Sequence, residues 1–161
     1  MLILGLPASG KTTLARSLSK ALQIPHLETD TLYWAESEGE GKIEDFVENV
    51  QAWISTHESW ICEGHFKTLN ETVSPLATVV LWLDLPWLLI LMRALKRSIR
   101  TFDFEDLKFV LLWRRKLFSM QARAFSEFRK QGVITYHFTS PNELQSWLER
   151  VKTDEELHCP S

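Results

Sequence analysis

The chain has 161 residues, 45% of them hydrophobic and 24% charged, with a formal net charge of −3. These values suit one domain with a sizeable core and exclude collagen-like and disordered classes. Two cysteines, Cys62 and Cys159, stand far apart without metal-type spacing, so a disulfide scaffold is not expected and a reducing, cytoplasmic setting is. The most apolar stretch, 79–92, contains Asp84 and Pro86 and is shorter than the roughly 20 residues a membrane span requires. No signal peptide is visible, and no membrane association is expected.

The elements alternate in chain order. Met1 to Gly5 opens with a short apolar run, which predicts a buried strand. Residues 5–12 read Gly-Leu-Pro-Ala-Ser-Gly-Lys-Thr, matching G-x-x-x-x-G-K-[ST], the phosphate-binding loop. Gly5 and Gly10 permit backbone turns that aim successive N–H groups at a phosphate, with Pro7, Ala8 and Ser9 between them. Lys11 offers a mobile positive charge, and the Thr12 hydroxyl can sit on Mg²⁺. Leu14, Ala15, Leu18, Ala21 and Leu22 recur at helical spacing, so a helix over about 11–22 points its positive end at the same anion.

A short second strand is predicted over 26–29, followed by an acidic loop, Glu36 to Glu40, beside Gly39 and Gly41. Ile43, Phe46, Val47, Val50, Trp53 and Ile54 share one face of a helix near 43–57. Trp60-Ile61-Cys62 is a third strand, and Thr78 to Leu83 a fourth, apolar throughout like a parallel strand covered on both faces. A helix follows over about 86–100 with Pro86 in its first turn. A longer helical region covers about 104–130 and stops at Gly132. Val133 to Phe138 is a fifth strand, and Asn142 to Val151 a last helix capped by Ser140 with Pro141 at its start. The expected organisation is one domain over 1–152, with 98–130 as a helical lid and 153–161 as a polar tail.

Strands alternating with helices call for a parallel sheet covered on both faces, with ligands at the C-terminal strand ends. Those ends carry the phosphate loop, then Glu28 and Asp30, then Glu63-Gly64-His65, then Asp84. A magnesium–nucleotide enzyme needs such carboxylates to hold water on the metal and to orient an attacking hydroxyl. Residues 93–130 contain 11 of the 18 basic and 4 of the 21 acidic residues, and a basic segment in an acidic protein calls for an anionic partner. A nucleotide triphosphate fits that description. Nucleic acid is the competing partner, which the overall charge disfavours.

GLPASGKTTLARSL, PHLETDTLYW, WICEGHF and VVLWLDLPWLLILMRALKRSIR, together with Arg114-Arg115-Lys116, resemble the small adenylate-kinase-related P-loop kinases. The resemblance is greatest to the bacterial DNA topology modulation, or flagellar-regulator-like, proteins. It implies an α/β, three-layer P-loop NTPase fold of nucleoside-monophosphate-kinase type: a five-stranded parallel sheet in the order 2-3-1-4-5 with a helical lid. It implies ATP and Mg²⁺ as cofactors. Gly5, Gly10, Lys11, Thr12 and Thr13 match the family's phosphate loop, and Asp30 matches an acid that meets the phosphate acceptor. Glu63 matches a carboxylate that reaches Mg²⁺ through water, while Arg93 and Arg97, four apart, resemble paired lid-base arginines. Arg114 and Arg115 are further candidates for the nucleotide phosphates. The chain departs from the family at Thr31, where a second acid is frequent, and at Glu63-Gly64-His65, where Asp-Gly-Asn is frequent.

Several positions keep two readings. Asp30 either serves the acceptor or caps a helix starting at Thr31, and Asp84 suits a cap for the helix after Pro86. His65 is a substrate contact or a structural histidine. Tyr33 and Trp34 either line an acceptor pocket or join the core, whereas Trp53, Trp60, Trp82, Trp113 and Trp147 fall in apolar patterns that predict core positions. The leading functional expectation is an ATP-dependent phosphotransferase acting on a small acceptor: a nucleotide, a nucleoside or another hydroxyl compound. The second is a nucleotide-binding regulatory protein that acts on nucleic acid through the basic segment.

Overall fold

A computed structural model describes residues 1–30, 43–64, 73–102 and 104–153. Five parallel strands form one sheet: β1 (Leu2–Gly5), β2 (His26–Glu28), β3 (Ile61–Glu63), β4 (Val79–Leu83) and β5 (Ile134–Phe138). Their order is β2-β3-β1-β4-β5, as expected. Five helices are described: α1 (Lys11–Leu22), α2 (Ile43–Ser55), α3 (Trp87–Thr101), α4 (Glu105–Lys130) and α5 (Pro141–Lys152). A short 3₁₀ turn, Ser74–Leu76, precedes β4.

Side-chain alternation along the central strands divides the core in two. Ile3, Leu81 and Leu83 point to one face, where Leu14 and Leu18 of α1 and Trp147, Leu148 and Val151 of α5 cover them. Leu2, Leu4, Val80 and Trp82 point to the other, against Phe46, Val50 and Ile54 of α2 and Phe125 and Phe128 of α4. Both faces of β1 and β4 are therefore buried, which explains their uninterrupted apolar sequences. The register pairs Ile3 with Glu63 on one side and with Leu81 on the other. The end of β1 is thus flanked by a carboxylate from β3 and by the chain leaving β4.

Helix ends explain most boundary differences. Ser140 caps α5 as its sequence suggests, its hydroxyl accepting the Glu143 N–H at 3.2 Å. Pro86 is the residue before the first turn of α3 rather than inside it, and no side chain caps that end. Asp84 is not the cap; its carboxylate pairs with His137 Nε2 at 3.0 Å instead. Nor does Asp30 cap a helix at Thr31, because Thr29 and Asp30 have already turned helical. Trp60, Trp82 and Trp147 are buried as expected, but Trp113 is 46% exposed and has Lys116 Nζ 5.1 Å from its ring.

The C-terminal part of α4 belongs to the core. Phe125 and Phe128 pack under the sheet, and buried Gln121 accepts the Trp82 indole N–H at 3.3 Å. A lid spanning all of 98–130 would have to break these contacts.

Candidate phosphotransfer site

The loop between β1 and α1 closes around its own backbone. Ser9 N–H donates to the Leu6 carbonyl at 3.1 Å, and Ala8 adopts a left-handed conformation with φ 61°, a costly state for a residue with a side chain. Gly10 has φ 102°, which L side chains rarely adopt. A Cβ on Gly5 would fall 2.6 Å from Ser9 Oγ and 3.1 Å from Leu83 Cβ. Glycine at position 5 is therefore required by close approach as well as by the motif. Ser9 Oγ itself is buried without a hydrogen-bond partner among the described residues. An orphaned buried hydroxyl inside a glycine-bounded loop suits a cradle for an oxygen-rich anion.

Lys11 and Thr12 begin α1. The Lys11 ammonium folds back onto the Leu6 carbonyl at 3.2 Å, so it lies along the loop. The Thr12 hydroxyl donates to Glu63 Oε1 at 2.9 Å. Glu63 ends β3 and is only 1% exposed. Burial pushes its carboxyl above the usual carboxylate range; Lys11 and the Thr12 hydrogen bond oppose that shift, and the negative charges of Asp30 and Glu28 add to it. A buried acid that shares its proton-accepting oxygen with a P-loop threonine suits a divalent cation. Magnesium is usually held by one or two protein oxygens, phosphates and waters, so the lack of a three-ligand His/Cys/Asp/Glu cluster among the described residues does not conflict with it. Thr12 would supply a direct ligand and Glu63 a water-mediated one.

The second strand brings more carboxylates to the same edge. Glu28 lies opposite Glu63 in the sheet register. Thr29 Oγ1 donates to the Glu63 carbonyl at 3.1 Å, tying the start of the next segment to β3. This contact leaves no room at Gly64, which has φ 137°. A Cβ there would collide with Thr29 Oγ1 and lie 2.9 Å from Asp30 N and 3.0 Å from Asp30 Oδ1. Asp30 is thereby held against the end of β3, beside Glu63. His26 was not singled out by its sequence position, yet its Nε2 lies 3.7 Å from Glu63 Oε1. That distance is too long for a hydrogen bond. Burial, aided by the Arg16 charge and opposed by Glu28, lowers the His26 pKa, so the ring is neutral at pH 7 and forms no ion pair.

From the other side comes α3. Arg93 donates from one guanidinium nitrogen to the Ser9 carbonyl at 2.9 Å, laying its charge across the loop. Sequence spacing paired Arg93 with Arg97; Arg93 reaches the loop, and Arg97, one turn on, is exposed. Arg114 does not reach the loop: its guanidinium sits 4.5 Å over the Trp87 ring, a cation–π contact. Arg115 is exposed on α4, and Thr13 is exposed on the first turn of α1. Tyr33, Trp34 and His65 lie outside the described residues.

No family model and no curated protein matches the sequence. Solved structures do match. A shikimate kinase from Acinetobacter baumannii in complex with shikimate superposes with a TM-score of 0.61 at 19% identity, covering 97% of this chain and 93% of that one. The fold is of the P-loop kinase type. A shikimate kinase from Bacteroides thetaiotaomicron superposes with a TM-score of 0.50 at 16% identity, covering 97% of each chain. These neighbours support the nucleoside-monophosphate-kinase-like architecture. The closer likeness to DNA topology modulation proteins finds no counterpart among them.

Proposed function

We propose that this chain is a magnesium- and ATP-dependent phosphotransferase that moves the γ-phosphate to the hydroxyl of a small acceptor. The observation that carries the reading is the convergence of Lys11, Thr12, Glu63 and Arg93 on one loop, with Asp30 one strand away. ATP with Mg²⁺ would supply the activated phosphoryl group. The backbone of Gly5 to Thr13 and Lys11 would bind its phosphates. Thr12 and Glu63 would hold the cation directly and through water.

Arg93 already lies across the loop, where its charge would neutralise the group in transfer, an effect that can be worth orders of magnitude in rate. Asp30 would orient the acceptor hydroxyl and take its proton. Phosphoryl transfer asks for positioning and charge more than covalent help, and the residues gathered here offer those two things. Arg114 and Arg115 would act only after a rearrangement in which Arg114 leaves Trp87. The lid would be confined to the α3–α4 turn, since Val110 in the first half of α4 and Phe125 and Phe128 in the second half are core.

No described helix is long and apolar enough to cross a membrane, and Cys62 is a buried, free thiol. Both are compatible with a cytoplasmic enzyme. The alternative of nucleic-acid binding through the basic segment gains no specific support, because Arg114 is occupied by Trp87. The test is to supply ATP labelled in its γ-phosphate with a panel of hydroxyl compounds and to follow the label. Transfer to an organic acceptor, abolished in Lys11→Ala, supports the reading. Release of inorganic phosphate alone, at a rate no acceptor changes, counts against it.

A further inference from the structure

Helix α3 is apolar on two faces, and the fold covers one of them. Ile90 and Ala94 pack into the core beside Val110 of α4, and Ser98, one turn further on, is buried with them. The other face is Leu88, Met92, Leu95 and Ile99, continued by Phe102 at the helix end. These five residues are between 44% and 88% exposed.

A single exposed leucine needs no explanation. Five apolar residues at steps of four, three, four and three do. That is the 3.5-residue repeat of a heptad seam, over two heptads. At about 100° per residue the stripe covers roughly 80° of the helix circumference. A face that packs on a broad core is wider, and a strict seam of this width is the geometry of helix laid along helix.

The charges of α3 lie off the seam. Arg93, Arg97 and Arg100 sit about a third of a turn or more from its centre, and Arg93 reaches the Ser9 carbonyl on that side. Lys96 borders the seam, where its long stem lies along apolar surface with the ammonium in water.

The exposed fractions of the five residues amount to about 600 Å² of continuous surface on one helix. That is the upper end of what a soluble monomer leaves uncovered and most of the roughly 800 Å² that each partner gives to a standard interface. An identical copy carries the identical seam. Two-fold pairing therefore covers both stripes at once and leaves no open end. A lipid surface suits this face less well, because cations flank the stripe on one side only.

We infer that α3 is a homodimerisation element, its seam packed lengthwise against the same seam of a second copy. Leu95, the middle residue, lies beside its counterpart. Arg93 and the phosphate loop stay outside the interface. The inference stands apart from the phosphotransfer reading, and its test needs no nucleotide.

The experiment is sedimentation velocity of the full-length protein from about 1 to 100 μM. The expected result is a monomer–dimer equilibrium that shifts to dimer across this range. Leu95→Glu and Met92→Glu each place a charge in the seam and are expected to weaken the dimer at least about tenfold. Both positions are exposed, so the circular dichroism of the variants should match the parent. Leu112→Glu is the control: Leu112 is exposed on α4, outside the seam, and the variant is expected to dimerise like the parent. Leu95→Cys should form a disulfide-linked dimer on mild oxidation, above the background of the parent cysteines, and Leu112→Cys should not. A monomer at every concentration, or a dimer that both glutamate variants leave intact, overturns the inference. So does a monomer that binds vesicles of anionic phospholipid and loses that binding in Leu95→Glu, which assigns the stripe to a membrane surface instead.

Discussion

The Thr12 hydroxyl and the Glu63 carboxylate, 51 residues apart in sequence, share a hydrogen bond of 2.9 Å at the floor of the phosphate loop. Glu63 is 1% exposed and its carboxyl is pushed up by burial. A proton bound more tightly in the folded than in the unfolded state stabilises the fold at low pH. That stabilisation is complete below the ordinary carboxylate value and is lost as pH rises through the raised one. Glu63→Gln should therefore raise the melting temperature of the nucleotide-free protein at pH 7 and flatten its decline over that pH window. Calorimetry of both proteins from pH 4 to 8 checks this. The same substitution should reduce phosphate transfer by about ten- to a hundredfold, since a charged partner of the metal-bound water is lost.

Gly64 permits Thr29 and Asp30 to pack against the end of β3. Gly64→Ala places a Cβ in contact with Thr29 Oγ1 and at 2.9 Å from Asp30 N, at φ 137°. Destabilisation of about 2 kcal/mol or more is expected, measurable by urea denaturation. KM for the acceptor should rise more than KM for ATP, because Asp30 is the group displaced.

Arg93 and Arg97 should behave differently despite their equivalent spacing. Arg93→Ala removes the contact with the Ser9 carbonyl and should lower kcat about a hundredfold or more. Arg97→Ala should cost less, because Arg97 lies one turn along α3 from the side chain that reaches the Ser9 carbonyl. Arg93→Lys should recover only part of the rate, since an ammonium cannot replace a planar fork at once on a carbonyl and a phosphate. Steady-state kinetics of the three variants test the order.

The cap on α5 has a local, separable role. Ser140→Ala removes the acceptor of the Glu143 N–H and should cost about 1 kcal/mol of stability without changing KM for ATP. Chemical denaturation and kinetics together check both parts.

Much of the donor site was legible from residues 5–12 because phosphate recognition by backbone depends on glycine spacing, and spacing is visible in one dimension. The sheet order was legible only through the family resemblance; apolar runs locate strands but do not say which are neighbours. Three features needed coordinates. His26 shows no motif and reaches Glu63 only because β2 and β3 pair in register. Arg114 reads as a phosphate ligand by charge, yet an aromatic ring at the start of α3 holds it. Asp84 looks like a helix cap by position, but His137 of β5 claims it. Each concerns a partner distant in sequence, on which local pattern is silent.

On the proposed function, this loop donates phosphate to an organic hydroxyl rather than to water. The most direct measurement is the fate of γ-labelled ATP, with Mg²⁺ and a mixed pool of small hydroxyl compounds, followed by mass analysis of the products. Label is expected in an organic phosphate monoester, dependent on Mg²⁺ and lost in Lys11→Ala and Asp30→Asn. Label confined to inorganic phosphate, or turnover that Asp30→Asn leaves unchanged, would contradict it.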